Sequence, residues 1–271
     1  MSAVTPALPK LDAPGRVTFP RVLLAEWTKF RTVRSTKWSL GVATFLVVAF
    51  PLVPAFVTLH HWHAHERIDA APLDIALVGV QIAQLVVAVL GVLTITSEYS
   101  TGSIRSTFTA VPKRLPVLWA KLIDYAFVSI ALMVPAMLVS FFETQAIVSD
   151  IPKEHVSLAT ASIARCVFMA PLYVTLVGVF ALALGAIIRN TAGGIAAYVG
   201  LFFVLTPLIH VLPNNWQNMI GKYLPFNAGE SMFALTHGSD TLSPLGGGVV
   251  MVVYCAVAIA IAAVLLRRRD V

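Results

Sequence analysis

The chain has 271 residues, of which 58% are hydrophobic and only 12% are charged, and its mean hydropathy is +0.84. This balance lies outside the usual range of soluble domains, so water alone is excluded as its solvent. The net charge of +6 comes from basic residues in the gaps between apolar stretches. A basic soluble surface of the kind that binds nucleic acid is therefore not expected.

Two regions differ in composition. Residues 1–18 combine Pro, Ala and scattered polar residues without periodicity, which predicts a disordered segment. Residues 19–271 form one domain with six apolar stretches, each about the length that a membrane-spanning helix needs, at residues 38–59, 73–96, 117–142, 165–188, 192–212 and 246–266. The stretches are continuous and not alternating, which favours helices over barrel strands. The sequence therefore predicts an all-α integral membrane protein with six transmembrane helices.

A short amphipathic helix is predicted before the first span. Pro20 suits a first helical position, and Leu23, Trp27 and Phe30 follow at helical spacing. Such a helix lies along the membrane surface. The alternative is a solvated basic approach to the span.

Several prolines fall inside or near the spans, and we expect kinks there and not breaks, because neighbouring helices satisfy the freed carbonyls. They are Pro51, Pro54, Pro135, Pro171 and Pro207.

The gap after the first span contains a histidine group, made of His60, His61, His63 and His65 with Glu66 beside them. Imidazoles and carboxylates bind Zn²⁺ or Cu²⁺, but a structural site usually needs a second ligand cluster, which the sequence lacks. We predict a hydrated interfacial loop, with a metal site as the weaker alternative.

Residues 97–116, SEYSTGSIRSTFTAVPKRLP, form the most distinctive polar gap. Ile104, Phe108 and Val111 recur at helical spacing, and Pro112 and Pro116 follow. The pattern predicts a short helix with one apolar face, and a simple loop with a chance amphipathic turn is the alternative.

The loop at residues 213–245 is long and half-apolar. It predicts one or two short helices that dip into the outer membrane face or form a small outer cap. Pro225 and Gly229 make a break between two pieces plausible.

The basic residues predict the orientation of the spans. Fifteen of the 19 lie in the N-terminal segment, the polar gap with the start of the third span, the fourth gap and the C-terminal tail, while Arg67, Lys153, Arg165 and Lys222 lie on the other side. By the positive-inside rule, both termini face the cytoplasm.

Gln81 and Gln84 lie one turn apart on the second span. Amides in hydrocarbon need partners, so this face points at another helix or at a cavity. Helix packing is favoured over contact with a substrate.

No phosphate-cradling G-x-x-x-x-G-K-[ST] motif occurs, and neither does a motif of metalloproteases or serine hydrolases. The chain is therefore predicted to be neither an enzyme nor a nucleotide-binding subunit. The charged residues Lys121, Asp124, Glu143 and Arg165 lie near span ends, which argues against an ion-coupled carrier. Energy for any transport then comes from elsewhere.

Four features together resemble a known family. They are AEWTKFRTVRSTKWS before the first span, TSEYSTGSIRSTFTAVPKR with Lys121 after the second, the long outer loop, and the terminal RRRD. Over about residues 20–271 the chain resembles the membrane-spanning permease subunit of type-2 ATP-binding-cassette (ABC) transporters, in the actinobacterial-type branch.

The resemblance implies an exporter in the cytoplasmic membrane. It implies an amphipathic elbow helix, a cytoplasmic coupling helix between spans two and three, and re-entrant outer helices between spans five and six. Two permease subunits, identical or different, would each dock a separate ATPase subunit that binds ATP and Mg²⁺, and no cofactor is expected in this chain. The residues expected to transmit closure of the ATPase are Glu98, Tyr99, Gly102, Ile104 and Arg105.

Two further expectations depend on the resemblance. Glu98 anchors the coupling loop, either by pairing with a basic group such as Arg105 or by accepting backbone hydrogen bonds at a helix start. Gln81 and Gln84 face a transport route lined by the second and fifth spans. The alternative function is a non-transporting six-span scaffold or sensor-associated protein; a membrane-embedded enzyme is disfavoured because no catalytic residues cluster.

Overall fold

The structure is a computed structural model that describes residues 17–63, 72–148, 157–209, 211, 213–236, 238 and 241–268. These residues form helices, turns and loops, with no strand among them. The helices are α1 (Phe19–Thr32), α2 (Arg34–Ala49), α3 (Leu52–His63), α4 (Pro72–Thr101), α5 (Ser103–Ala110), α6 (Leu115–Ile147), α7 (Ala161–Ile188), α8 (Thr191–Val199), α9 (Leu205–Ile209), α10 (Asn214–Ile220), α11 (Pro225–Phe233) and α12 (Pro244–Arg268). The segment predicted to be disordered lies, apart from its last two residues, outside the described part.

Six helical segments are long and apolar enough to cross a membrane, which confirms that part of the prediction. They are Arg34–His60, Leu73–Thr101, Leu115–Ile147, Ala161–Ile188, Thr191–Ile209 and Pro244–Arg268. Each overlaps a range predicted from the sequence. The chain is an all-helical, membrane-type protein.

Helices α4 and α7 form the centre of the bundle. In each, 67% of the most apolar stretch is buried, against 22–39% in the other four spans. The two backbones approach closely at Gly91, where an added Cβ would lie 2.3 Å from the carbonyl oxygen of Gly178. Small residues allow such contacts between membrane helices. The hydroxyl of Tyr125 on α6 donates to the Val87 carbonyl of α4 at 2.5 Å and ties a third helix to this pair.

The prolines act in three ways. At Pro51 the regular helix is interrupted by a two-residue turn, Phe50 and Pro51, between α2 and α3. Phe50 nevertheless keeps helical dihedral angles, and both pieces belong to one span, Arg34–His60. Pro135 and Pro171 lie inside the continuous helices α6 and α7. Before Pro207 the fifth span widens into a π-helical turn, Gly200–Val204, a usual way to accommodate a missing backbone donor.

Arginines from different gaps of the sequence lie at opposite ends of the bundle. At the first, which we call the basic end, Arg114 before α6 and Arg189 after α7 donate to the carbonyls of Leu266 and Leu265 near the end of α12. At the opposite end, Arg165 at the start of α7 donates to the carbonyls of Met232 and Ala234. The predicted separation of basic residues into alternate gaps therefore corresponds to a spatial separation among the described residues.

Helix α1 packs on the basic end, with Pro20 in its first turn as predicted. Its buried residues are Val22, Glu26 and Phe30. Phe30 of the predicted stripe is therefore buried, whereas Leu23 and Trp27 are half-buried. The carboxylate of Glu26 occupies the middle of the buried face. Phe30 also meets the ring of Tyr125 edge-on, with centroids 6.1 Å apart.

The outer loop contains two short helices, α10 and α11, joined by a 3₁₀ turn, Gly221–Tyr223. The break between them falls at Pro225, one of the two predicted positions, where Pro begins α11. Gly229, the other predicted position, lies inside α11.

Candidate functional site

A network of four charged side chains lies at the basic end and joins α1, α4 and α6. The Nζ of Lys121 lies 2.6 Å from Oε2 of Glu26 and 2.7 Å from Oε1 of Glu98. The Nζ of Lys29 lies 2.6 Å from Oε1 of Glu26 and 3.2 Å from Oε1 of Glu98. Each ammonium therefore bridges the same two carboxylates, and the four charges cancel.

The network is largely removed from solvent. The side chains of Glu26 and Lys121 are each 4% exposed, Glu98 is 12% exposed, and Lys29 is 42% exposed. Moving a charge into a low-dielectric interior costs several kcal/mol, and a buried group that loses its partner leaves that cost uncompensated. The alternation of two acids and two bases is therefore what permits this polar cluster inside an apolar bundle.

Lys29 extends the network to α5, because its ammonium also donates to the hydroxyl of Thr107 at 3.2 Å. Burial alone would lower the pKa of Lys29. The hydrogen bond and negative charge of Glu26, with those of Glu98, outweigh burial and raise this pKa above its ordinary value. Lys29 therefore remains a cation, and the charge-assisted contact between α1 and α5 persists at neutral pH.

Helix α5 is held against the bundle by its apolar face. Ile104 is 2% and Phe108 8% exposed, which confirms the amphipathic pattern. The chain turns from α4 into α5 at Gly102, whose φ of 73° is the left-handed region that favours glycine. The guanidinium of Arg114 covers the Phe108 ring, with 5.5 Å between its carbon and the ring centroid. These contacts fix α5 to the ends of α4 and α6.

A second set of contacts joins the ends of α4, α7 and α12. The guanidinium of Arg189 stacks over the Tyr99 ring at 5.2 Å and donates to the Leu265 carbonyl. The hydroxyl of Thr191, which begins α8, donates to that of Thr96 on α4 at 2.8 Å. Between Thr96 and Tyr99, the end of α4 therefore contacts α1, α6, α8 and Arg189, which follows α7.

The five residues expected to transmit a partner's movement divide into two groups. Gly102 and Arg105 are exposed, whereas Ile104 is buried and Glu98 and Tyr99 are partly covered by the contacts above. The expected pairing of Glu98 with a basic group is present, but Lys29 and Lys121 are its partners and not Arg105. The first group is the more accessible to a docked protein, and the second holds α5 and the end of α4 against the bundle. Exposed neighbours that the prediction omitted are Ser103, Ser106, Thr109 and Ala110.

Glu26 and Lys121 are the residues that sequence reasoning missed. The sequence places Lys121 near a span end, and Glu26 is not among the predicted site residues. Two signals were present: Glu26 lies one turn from both Val22 and Phe30, and Lys121 lies one turn from Asp124. Nothing in the order of residues places these two turns side by side.

At the opposite end, the two predicted glutamines have different surroundings. Gln81 is exposed, and its amide donates to Oε1 of Glu230 on α11 at 2.9 Å. Gln84 is fully buried, and its side-chain oxygen accepts a hydrogen bond from the Tyr173 hydroxyl. Burial raises the pKa of Glu230, and the Gln81 hydrogen bond offsets part of that rise. Gln84 thus packs between α4 and α7, while Gln81 borders an open surface.

The histidine group lies mostly beyond what the structure describes. His60 is exposed at the end of α3, the side chains of His61 and His63 are not described, and His65 lies outside the described residues. Among the described residues, no three side chains of His, Cys, Asp or Glu are grouped so as to hold a metal ion. Cys166 and Cys255 are both buried and unpaired by a disulfide.

No protein-family model matches the chain, and no curated protein sequence matches it significantly.

Proposed function

We propose that this chain is the membrane-spanning permease subunit of an ATP-driven exporter of the type-2 ABC class, with both termini on the cytoplasmic side of the cytoplasmic membrane. In this proposal α1 is the elbow helix, α5 the coupling helix, and α10 and α11 the re-entrant outer helices. The assignment of the basic end to the cytoplasm follows the positive-inside rule.

The observation that supports the proposal most directly is the charged network between α5 and the spans. Lys29 contacts Thr107 of α5 and Glu98 of α4 through the same ammonium, and Lys121 links Glu98 to the start of α6. A displacement of α5 would therefore act on the Lys29 ammonium, which Glu26 of α1 and Glu98 of α4 share, and through Glu98 on Lys121 of α6. That is the property a coupling helix needs.

The chain carries no phosphate-binding loop, so a separate ATPase subunit would supply the energy. ATP binding there shifts the permease between two states only if the contacts differ in free energy between those states. The exposed face of α5 would bear those contacts, with Arg105 as its cation. The buried side of the same helix would pass the shift to the ion network.

A second permease subunit, identical or different, would complete the transporter. The proposed transport route lies between the two copies, lined by the second and fifth spans. The fifth span exposes Val204 and Leu208, and the second exposes Gln81 beside Glu230. Gln81 would meet cargo directly, whereas Gln84 reaches the route only in a state that opens its bond to Tyr173.

The test is to purify the tagged full-length protein from native membranes in mild detergent and to identify bound proteins by mass spectrometry. We expect a P-loop ATPase that is lost with Arg105→Glu. Lys37→Glu is the matched control, because Lys37 is also an exposed cation at the basic end but lies on α2. Recovery of no ATPase with a folded membrane protein would favour the non-transporting scaffold. Equal loss of the bound ATPase with Arg105→Glu and Lys37→Glu would place the docking surface outside α5.

A further inference from the structure

A cavity of about 550 Å³ lies at the basic end between α1, α2, α4, α5 and α6. The ion network lines one part of it. Apolar side chains line another, and they are Phe30, Val33, Leu90 and Leu93. The volume is in the range of small-molecule sites, and such a mixed lining suits a ligand with a polar head and an apolar body.

Asp124 also lines this cavity and takes no part in the ion pairs of the network. It is 5% exposed, and its Oδ2 is buried without a hydrogen-bond partner among the described residues. Oε2 of Glu98, another residue of the lining, is buried and unpartnered in the same sense. Buried carboxylate oxygens normally accept hydrogen bonds, so two that do not, at one cavity, indicate a missing donor.

The charges of the lining are unequal. Glu26, Glu98 and Asp124 face Lys29 and Lys121, and the two ammonium groups already bridge the first two carboxylates. One negative charge remains, and it belongs to Asp124. An unpaired buried carboxylate is costly, and a ligand that brings one positive charge into the cavity removes that cost.

We propose that this cavity binds an amphiphile through a primary alkylammonium group that pairs with Asp124. An ammonium group has three N–H donors, and the lining supplies acceptors for them in the carboxylates of Asp124 and Glu98 and the hydroxyl of Ser97. The hydrocarbon part lies along Phe30, Leu90 and Leu93. The site needs no ATPase and does not depend on the proposed transport function.

Two sources supply this chemistry: the headgroup of an aminophospholipid and a soluble amphiphilic amine. The lining suits both, because it runs from α5 at the basic end to Leu90 inside the second span. The experiment therefore has two arms. The first tests whether binding requires the ammonium group, and the second tests whether that group comes from a lipid or from a soluble amine.

In the first arm, the full-length protein in phosphatidylcholine nanodiscs is titrated with octylamine, 1-octanol and octyl sulfate while its thermal unfolding is followed by tryptophan fluorescence. We expect a saturable rise in Tm with octylamine alone. Asp124→Asn is expected to weaken octylamine binding by about tenfold or more, the usual effect of losing a charged hydrogen-bond partner. Glu143→Gln is the matched control, because Glu143 lies on the same helix with a buried, unpartnered Oε2 but outside this lining.

In the second arm, native mass spectrometry of protein from phosphatidylethanolamine-containing nanodiscs identifies the source. If one phosphatidylethanolamine molecule stays bound to the wild type and is lost in Asp124→Asn, the ligand is the lipid. If phosphatidylethanolamine does not change the affinity for octylamine, the ligand is a soluble amine. Equal stabilisation by 1-octanol or octyl sulfate, or unchanged octylamine binding by Asp124→Asn, overturns the proposal. If Asp124→Asn does not fold, Leu93→Trp fills the cavity without changing its charge and is expected to abolish octylamine binding.

Discussion

The Nζ of Lys121 lies 2.6 Å from Oε2 of Glu26, and both side chains are only 4% exposed. This ion pair connects the helix that precedes the first span to the beginning of the third. It is buried on both sides, whereas the neighbouring pair of Glu26 with Lys29 includes a side chain that is 42% exposed. The two lysines therefore contact the same carboxylates in different dielectric surroundings.

This difference predicts unequal effects of removing each ammonium. Lys121→Met leaves Glu26 and Glu98 with only the outer cation, and we expect a loss of about 3–5 kcal/mol in unfolding free energy. Lys29→Met leaves both carboxylates paired with Lys121, and we expect a loss of about 1 kcal/mol or less. Thermal and denaturant unfolding in a mild detergent measures both. Equal losses would contradict the assigned geometry.

A double variant separates the cost of an unpaired charge from the worth of the pair. In Glu26→Gln/Lys121→Met both charges of the buried pair are removed together. We expect this protein to be more stable than Lys121→Met alone, because no uncompensated carboxylate of Glu26 remains. The single variant Glu26→Gln completes the comparison. If the loss of unfolding free energy in the double variant equalled the sum of the losses in Glu26→Gln and Lys121→Met, the two groups would not interact.

Glu98 is predicted to couple ATP hydrolysis to transport. Its Oε1 accepts from both lysines, so Glu98→Ala removes the ion pairs of α4 with α1 and α6 while leaving the apolar face of α5 in place. We expect membrane insertion and ATPase docking to be retained and transport per ATP hydrolysed to fall at least about tenfold. Transport and hydrolysis are measured together in proteoliposomes, with Glu143→Gln as control. Unchanged transport would refute the role of Glu98.

The parts of the fold that depend on local pattern could be predicted from the sequence. The six spans follow from apolar runs of about 20 residues, and the buried face of α5 follows from the spacing of Ile104 and Phe108. The interruption at Phe50 and Pro51 lies within the first span, and its cause is local as well, because Pro51 and Pro54 both lack a backbone N–H donor.

The ion network could not be predicted, because it depends on contacts between distant parts of the chain. Glu26 and Lys121 are 95 positions apart, and each alone is typical of an interfacial or snorkelling charge. The pairing of Gln84 with Tyr173 is similar: the need for a partner was evident from an amide in an apolar span, but its identity depended on how α4 crosses α7. Residue patterns indicate that a polar group needs a partner, and only packing supplies which one.

The close crossing of α4 and α7 predicts a contrast between two glycines. In Gly91→Ala the new Cβ would lie 2.3 Å from the Gly178 carbonyl oxygen, so the two helices have to separate. In Gly41→Ala, on α2, the new Cβ meets no atom within 4 Å. We expect the first variant to lose about 1–3 kcal/mol and the second to be unchanged or more stable by up to about 1 kcal/mol. A Gly91→Ala protein as stable as the wild type would contradict this crossing.

Glu230 predicts a pH dependence of stability at the opposite end of the bundle. Burial raises its pKa in the folded protein, and the hydrogen bond from Gln81 offsets part of this rise. The associated stability is fully present below the unfolded pKa of about 4.3 and is lost as the pH rises through the higher folded pKa. Glu230→Gln removes this loss, so its Tm relative to the wild type should increase between about pH 4 and neutral pH. Gln81→Ala is the complementary control, because removing the hydrogen-bond donor raises the pKa of Glu230 further and extends the loss of stability to higher pH. Parallel curves of Tm against pH for all three proteins would exclude the assigned environment of Glu230.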